Sequence, residues 1–457
     1  MKKNILSRFI LLCSLCIVMS TARAQYVAIP DSNFGNWLYN NGYDSCLTGN
    51  SVSGYHLDTT CHFILSASIV SCASDSIVNL TGIKYFKNLN SLFCQRNKLT
   101  SLPALPASLY LLNCSFNSLT TIIALPPALN QLDCAYNNIT SLPALPNSLR
   151  TLSCGNNSLT SLPVLPVAVQ DLVCSYNNLT TLPVLADSLV SLQCSFNHLT
   201  GLPTLPTGLR YLYCNNNSLV SMPALPDSLT GLYCFFNQLT SLPTLPSLAT
   251  LDCSYNQLSS LPACPGFLVT LYCQSNALTA LPALTDTLVD LNCAHNLLTS
   301  LPSLPHNLLD INCMGNTNLH CLPIIYQQSL NNFYIDSTAI QCIPDRFSAQ
   351  FFDVNPTSLL TCNSGAGCPS DSTLGINAVT ELNIIHLYPN PNKGTFTLQT
   401  SNSINSKYTI TDMLGHVITE QTITTDRQAI DMSGLGEGVY TLTMKGVSLR
   451  FTVFSFE

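Results

Sequence analysis

Twelve cysteines stand at Cys94, Cys114, Cys134, Cys154, Cys174, Cys194, Cys214, Cys234, Cys253, Cys273, Cys293 and Cys313, a spacing of 20 residues broken by a single 19. Thiols repeated in this way could pair as disulfides, hold a soft metal or act as nucleophiles. No CxxC pair or histidine cluster accompanies them, so the donor sets of zinc sites are missing. If neighbouring cysteines lie on parallel strands in register, their Cβ atoms stay about 4.8 Å apart, whereas a disulfide wants about 3.8 Å. What remains is packing: a small apolar side chain with an inert, buried thiol.

The elements that must position these cysteines can be read from their surroundings. Each follows the pattern LxxLxC and is followed three residues later by an asparagine, from Asn97 and Asn117 to Asn316. The unit is LxxLxCxxNxLTxLPxLPxx. Its alternation puts Leu112 and Cys114 on one side of a short strand, and Asn113 and Ser115 on the other. The asparagine side chains can bond free backbone groups where the chain leaves the strand, and stacked copies would form a ladder. Prolines such as Pro103 and Pro106 forbid an α-helix on the return path and favour extended, polyproline-like backbone. No single coil can bury its leucines, so the coils must stack around a continuous core. Weaker copies begin at Val70-x-Cys72 and continue at Phe333-x-Ile335 and Phe352-x-Val354.

This repeat resembles the leucine-rich repeat family in its short bacterial class. The resemblance implies a solenoid of α/β type dominated by β, with a parallel sheet on one face, usually concave, and thin return segments on the other. Solenoid ends expose core and need caps. The cysteines outside the ladder fall at such ends, and disulfides are expected for Cys46–Cys61, Cys321–Cys342 and Cys362–Cys368, with Cys264 a lone thiol. Ahead of the repeats, Asp31 or Ser32 can cap a short helix carrying Phe34, Trp37 and Leu38, with Trp37 expected over the first coil.

Only 9% of residues are charged and the net charge is −7, against roughly 25% charged in ordinary soluble domains. Between Lys98 and Arg346 the only cations are Arg150 and Arg210, which excludes a nucleic-acid surface. No glutamate occurs before Glu381, and the sequence contains no HExxH, GxSxG, P-loop or paired-carboxylate arrangement. His56, His62, His198, His295, His306 and His320 are scattered. An enzyme is therefore not expected, and no cofactor or metal is implied.

The chain opens with Lys2, Lys3 and Arg8, a short apolar run and Thr21-Ala22-Arg23-Ala24, the pattern of a secretory signal peptide over residues 1–24. That run is too short to span a bilayer, and no later stretch reads as a membrane helix. Residues 25–68 read as an N-terminal cap, 69–362 as the solenoid and 363–378 as a Gly/Ser linker. Residues 379–457 alternate as strands do. Their motifs "LYPNPNKGTFTL", "ITDMLGHVI" and "DMSGLGEGVYTLTM" resemble the C-terminal sorting domain of type IX secretion substrates. That resemblance implies a small β-sandwich, handling by the type IX machinery, and a secreted or outer-membrane surface location in a Gram-negative bacterium.

Candidate binding residues lie at outward strand positions, where the middle of the repeat array collects Tyr211, Tyr213, Tyr233, Phe235 and Tyr272. Such a face could stack on sugar rings or anchor a protein. A second row near the turn holds Phe116, Tyr136, Tyr176, Phe196, Phe236 and Tyr255, which could simply shield the asparagine ladder. The expected function is binding or adhesion toward a protein or glycan; the alternative is a structural surface rod without a discrete ligand.

Overall fold

The computed structural model describes residues 25–323, 330, 332–340, 342–343, 360–361, 385–388, 395–400, 404–412, 415–436, 438–444 and 447–453. The expected signal peptide, the linker, the rung at 352–354, Cys362 and Cys368 lie outside them. The chain forms two compact units, Met1–Asp371 and Ser372–Glu457.

The first unit is a mostly-β solenoid. Its parallel sheet has 14 strands in chain order, from β4 (Ile69–Ser71) to β17 (Asn332–Tyr334). The strands are three residues long, and Leu112 pairs with Leu132, Leu132 with Leu152, and so on without a slip. Register is held because a one-residue slip would turn every leucine to water. The 19-residue unit loses its residue in the turn: elsewhere Leu229 N–H bonds Pro226 C=O, but Leu248 N–H reaches back only to Pro246. Leu232 still pairs with Leu251.

The core is columnar. Leu109, Leu112, Cys114 and Leu119 are buried, as are their equivalents in successive rungs. The asparagines form the expected ladder. Asn137 Nδ2 donates to Cys134 C=O of its own rung and to Cys114 C=O of the preceding one, both at 3.1 Å, while its Oδ1 accepts from Leu119 N–H at 2.9 Å. One side chain thus satisfies backbone groups of two adjacent coils, which buried turns require.

A feature the repeat pattern does not announce is the backbone at the second residue after each ladder cysteine. Phe116, Tyr136, Asn156 and Tyr176 have φ between 53° and 56°. The left-handed bend lets Phe116 N–H and Asn117 N–H both donate to the next rung, to Ala135 and Tyr136 C=O.

The cap contains more than the expected helix. Strands β1 (Tyr26–Ile29), β2 (Leu47–Asn50) and β3 (Gly54–Asp58) form an antiparallel sheet in the order β1-β3-β2. Helix α1 (Ser32–Leu38) is capped by Asp31, whose carboxylate also accepts from Val78 and Asn79 N–H in the first coils. Phe34 and Leu38 are the residues fully buried against the core, while Trp37 lies only partly covered, ranged with Phe34 and Tyr43. A disulfide joins Cys46 to Cys61. Cys321 is also in a disulfide.

The second unit packs two antiparallel sheets. Ile385–Tyr388, Thr395–Thr400 and Arg427–Asp431 make one; Lys407–Thr411, Val417–Thr422, Gly438–Met444 and Val447–Val453 make the other. Leu398 and Phe396 from the first share a core with Ile410, Leu442 and Phe451 from the second, which makes the pair a sandwich.

Candidate binding face

Every ladder cysteine from Cys94 to Cys313 is buried and unpaired, as is Cys72 in the preceding rung. Burial pushes these thiols up, to about 12 at Cys194 and Cys313 and well above the ordinary range at Cys114 and Cys174. Cys264, half-buried on the return side, is pushed up to about 11 by the same cause. A thiol held protonated in an apolar core is a poor nucleophile and a poor ligand. Among the described residues no group of three or more His, Cys, Asp or Glu could hold a metal ion. No helix among them is long and apolar enough to cross a membrane.

The five outward aromatic residues fall into three groups. Tyr213 and Tyr233 are paired across neighbouring strands and stack with ring centroids 4.5 Å apart and planes within 5°. Tyr211 joins them because its strand partner is Gly231: a Cβ there would lie 3.3 Å from the Tyr211 ring and 3.4 Å from the Tyr233 ring. Gly231 is the one glycine among the described outward positions that open these strands, a signal available in the sequence and missed. Burial raises the Tyr213 hydroxyl above its usual value, and Tyr233 beside it adds to the shift.

Phe235 meets Phe236 edge to face at 5.9 Å. Its direction is toward the turn row, not the tyrosine cluster.

Tyr272 belongs to a different feature. Asp252 stands between Tyr233 and Tyr272 in the sheet register, and Tyr272 instead donates its hydroxyl to Asp290 at 2.5 Å. That bond, with burial adding to it, pushes the phenol up to about 12. Tyr272 thereby walls a polar depression of about 240 Å³ that includes Asp290, Asp310, Asn292, Asn312 and Tyr334. Asp310 in turn accepts from Asn332. The residue types alone could not reveal this grouping, because it depends on which side chains share neighbouring rungs.

The turn row is ordered as well. Phe116 stacks on Tyr136, Tyr176 on Phe196, and Phe236 on Tyr255, each at 4.1 Å with planes within 10°. Arg96 lies over the Phe116 ring. All six rings remain substantially exposed, so shielding the asparagines leaves much of their surface to solvent.

Comparison with known proteins agrees with this architecture. Residues 386–452 match the family model of the secretion system C-terminal sorting domain. No curated protein matches the chain. Among solved structures, the leucine-rich effector protein YopM from Yersinia pestis is 30% identical, with a TM-score of 0.53, covering 65% of this chain and 89% of that one. YopM from Yersinia enterocolitica is 29% identical with a TM-score of 0.50, over 61% of this chain and 75% of that one. The functional domain of InlJ from Listeria monocytogenes, described as including a cysteine ladder, has a TM-score of 0.51 at 20% identity and covers 94% of this chain and 98% of its own, a likeness of fold. The repeat, its sheet and these similarities together make the chain a member of the leucine-rich repeat proteins, ending in a sorting domain for export by type IX secretion.

Proposed function

We propose that this exported protein acts at the bacterial surface or in the medium as a recognition module. It binds a protein or glycan partner through the outward sheet face rather than performing catalysis. The division of labour follows the reading of residues 25–68 as cap, 69–362 as solenoid, 363–378 as linker and 379–457 as export signal. The observation that carries the reading is the cluster of Tyr211, Tyr213 and Tyr233 around Gly231. Rigid, amphipathic rings gathered on a regular sheet are the usual anchors of binding hot spots. Tyr272 and its polar depression supply hydrogen-bonding groups further along the same face.

The test is a binding screen of the purified chain on glycans, polysaccharides and surface proteins, run beside Tyr213→Ala/Tyr233→Ala. Truncating two anchors should weaken a saturable interaction about tenfold or more with the circular dichroism spectrum unchanged. Equal binding by both proteins removes the tyrosine cluster from consideration. Silence across the screen favours the structural rod.

A further inference from the structure

The turn row carries a second periodicity laid over the first. In consecutive rungs the left-handed position reads Phe116, Tyr136, Asn156, then Tyr176, Phe196, Asn216, then Phe236, Tyr255, Ser275. Two rings followed by one small polar residue recur three times. The backbone does not ask for rings here. With φ near 53° at every one of these positions, glycine or asparagine would be the easier choice, and a bulky side chain carries a steric cost. Within each pair, stacking offsets that cost. At each third rung the stack is interrupted.

The interruption has a definite shape. The rings of each pair are parallel and stack from rung to rung at 4.1 Å, so their faces look along the solenoid. Tyr136 and Tyr176, two rungs apart, therefore present faces about 8–10 Å from one another, the range between twice the ring spacing and twice the strand spacing, with room for one ring between them. Asn156, only partly exposed, lies between these two exposed side chains. Its amide makes no hydrogen bond to a described residue. The gap between Phe196 and Phe236 is floored by Asn216, whose Oδ1 accepts from Asn215 and whose own NH₂ donates to no described residue.

We infer that each of these two slots receives a single pyranose ring of an uncharged glycan, sandwiched between the aromatic walls and hydrogen-bonded through its hydroxyls to the asparagine floor. The inference concerns a different row from the sheet face and does not depend on it. Apolar walls above a polar floor match a ring with apolar faces and a polar edge. A phenyl group from a protein would cover the floor amide without a partner, which is costly. A nucleobase has the right faces and edge, but its phosphates would meet a region whose only cations between Lys98 and Arg346 are Arg150 and Arg210. A second copy of the ridge does not interlock, because its knobs are two rings thick and the slots one ring wide. Because the walls face along the solenoid, the sugar chain crosses the ridge rather than following it.

The decisive variants fill the slots. Asn156→Phe places a ring where Phe116, Phe196 and Phe236 already sit with the same backbone, completing the stack instead of breaking it. Asn216→Phe does the same for the second slot. Calorimetric titration of the full chain with cellohexaose, chitohexaose and laminarihexaose should show binding of at least one in the millimolar range or tighter. Asn156→Phe should halve the number of sites, and the double variant should weaken binding about tenfold or more, with both proteins folded by circular dichroism. Val164→Ser, at an exposed position of the return segment, should bind as the parent does. Undiminished binding by the double variant overturns the inference, as does the absence of binding to all three sugars. Loss confined to Tyr213→Ala/Tyr233→Ala, titrated beside them, overturns it too, and places the sugar on the sheet face instead.

Discussion

The two units of this chain are both built of β-strands, yet they solve the burial problem in opposite ways. In the solenoid, Leu192 pairs with Leu172 and Leu212 one coil to either side, and every buried column repeats the same leucine, cysteine and asparagine. In the sandwich, Phe396 reaches Phe451 at 4.7 Å across 55 residues of sequence, and the core mixes leucine, isoleucine, phenylalanine, tyrosine and methionine. The solenoid needs only nearest neighbours, so one motif can be copied. The sandwich closes once and needs each side chain to be particular to its place. Thiols and amides thus do in the first unit what branched and aromatic side chains do in the second.

The largest expected difference is in alkali. Residues 379–457 contain no cysteine, whereas the solenoid buries its ladder of thiols with their pKa values raised by desolvation. A group whose folded pKa is raised contributes stability that is complete below the unfolded value, near pH 9, and is lost as pH climbs toward about 12, the value at Cys194. Each buried thiol subtracts about 1.4 kcal/mol per pH unit in that window, and the twelve together remove on the order of 10 kcal/mol per unit. Hydrogen exchange followed by mass spectrometry between pH 8 and 11 (approximately) should show the solenoid opening steeply while the sandwich retains protection. Simultaneous loss in both units would show that the thiol core does not set the alkaline limit.

The asparagine ladder provides the next effect. Asn177→Ala removes bonds to Cys154 and Cys174 C=O and leaves Leu159 N–H unmatched in a buried turn. The stranded N–H and the two lost carbonyl bonds together cost about 3–5 kcal/mol, although Asn157 and Asn197 still donate to those carbonyls; the loss is measurable as a shift in urea unfolding. An effect below about 1 kcal/mol would mean that water replaces the amide.

Truncating a leucine distinguishes the units by reach rather than size. Leu192→Ala and Leu442→Ala, both fully buried, should each cost about 3 kcal/mol. In the solenoid the accelerated exchange should be confined to coils adjoining Leu192, while Leu442→Ala should loosen its whole unit. Uniform acceleration along all fourteen strands would contradict the nearest-neighbour description.

The cap should respond most gently. Asp31→Ala loses the acceptor for Asn33, Val78 and Asn79 N–H, worth about 1–2 kcal/mol. The expected readout is earlier fraying of coils near Ile77, with Cys46–Cys61 intact, as seen by exchange.

Because these elements differ in kind, they differed in legibility. The solenoid could be read from spacing because its energetics are local: a strand that must hide Leu112 and Cys114 beside an identical neighbour has one register available. The sorting domain was readable as strands from alternation and as a family from its motifs, but which strands pair, as 395–400 do with 427–431, leaves no periodic trace. In the cap, Asp31 was visible as a helix start, but the three-stranded sheet before the first coil was not. LTGN shows no alternation, and in GYHLD the alternation of Tyr55 and Leu57 with Gly54 and His56 is too short to stand out from a loop.

The candidate faces show the same boundary. Residue types and the 20-residue count were enough to determine the parallel sheet, the asparagine ladder and the inert character of the thiols, because each follows from alternation and repetition. Only the tertiary structure decided that Tyr211 lies over Gly231, that Tyr272 turns to Asp290, and that rings in the turn row stack in pairs with a gap at Asn156. Those outcomes depend on the contacts of exposed side chains between rungs, where no burial pattern constrains the residue and geometry alone determines which neighbour it meets.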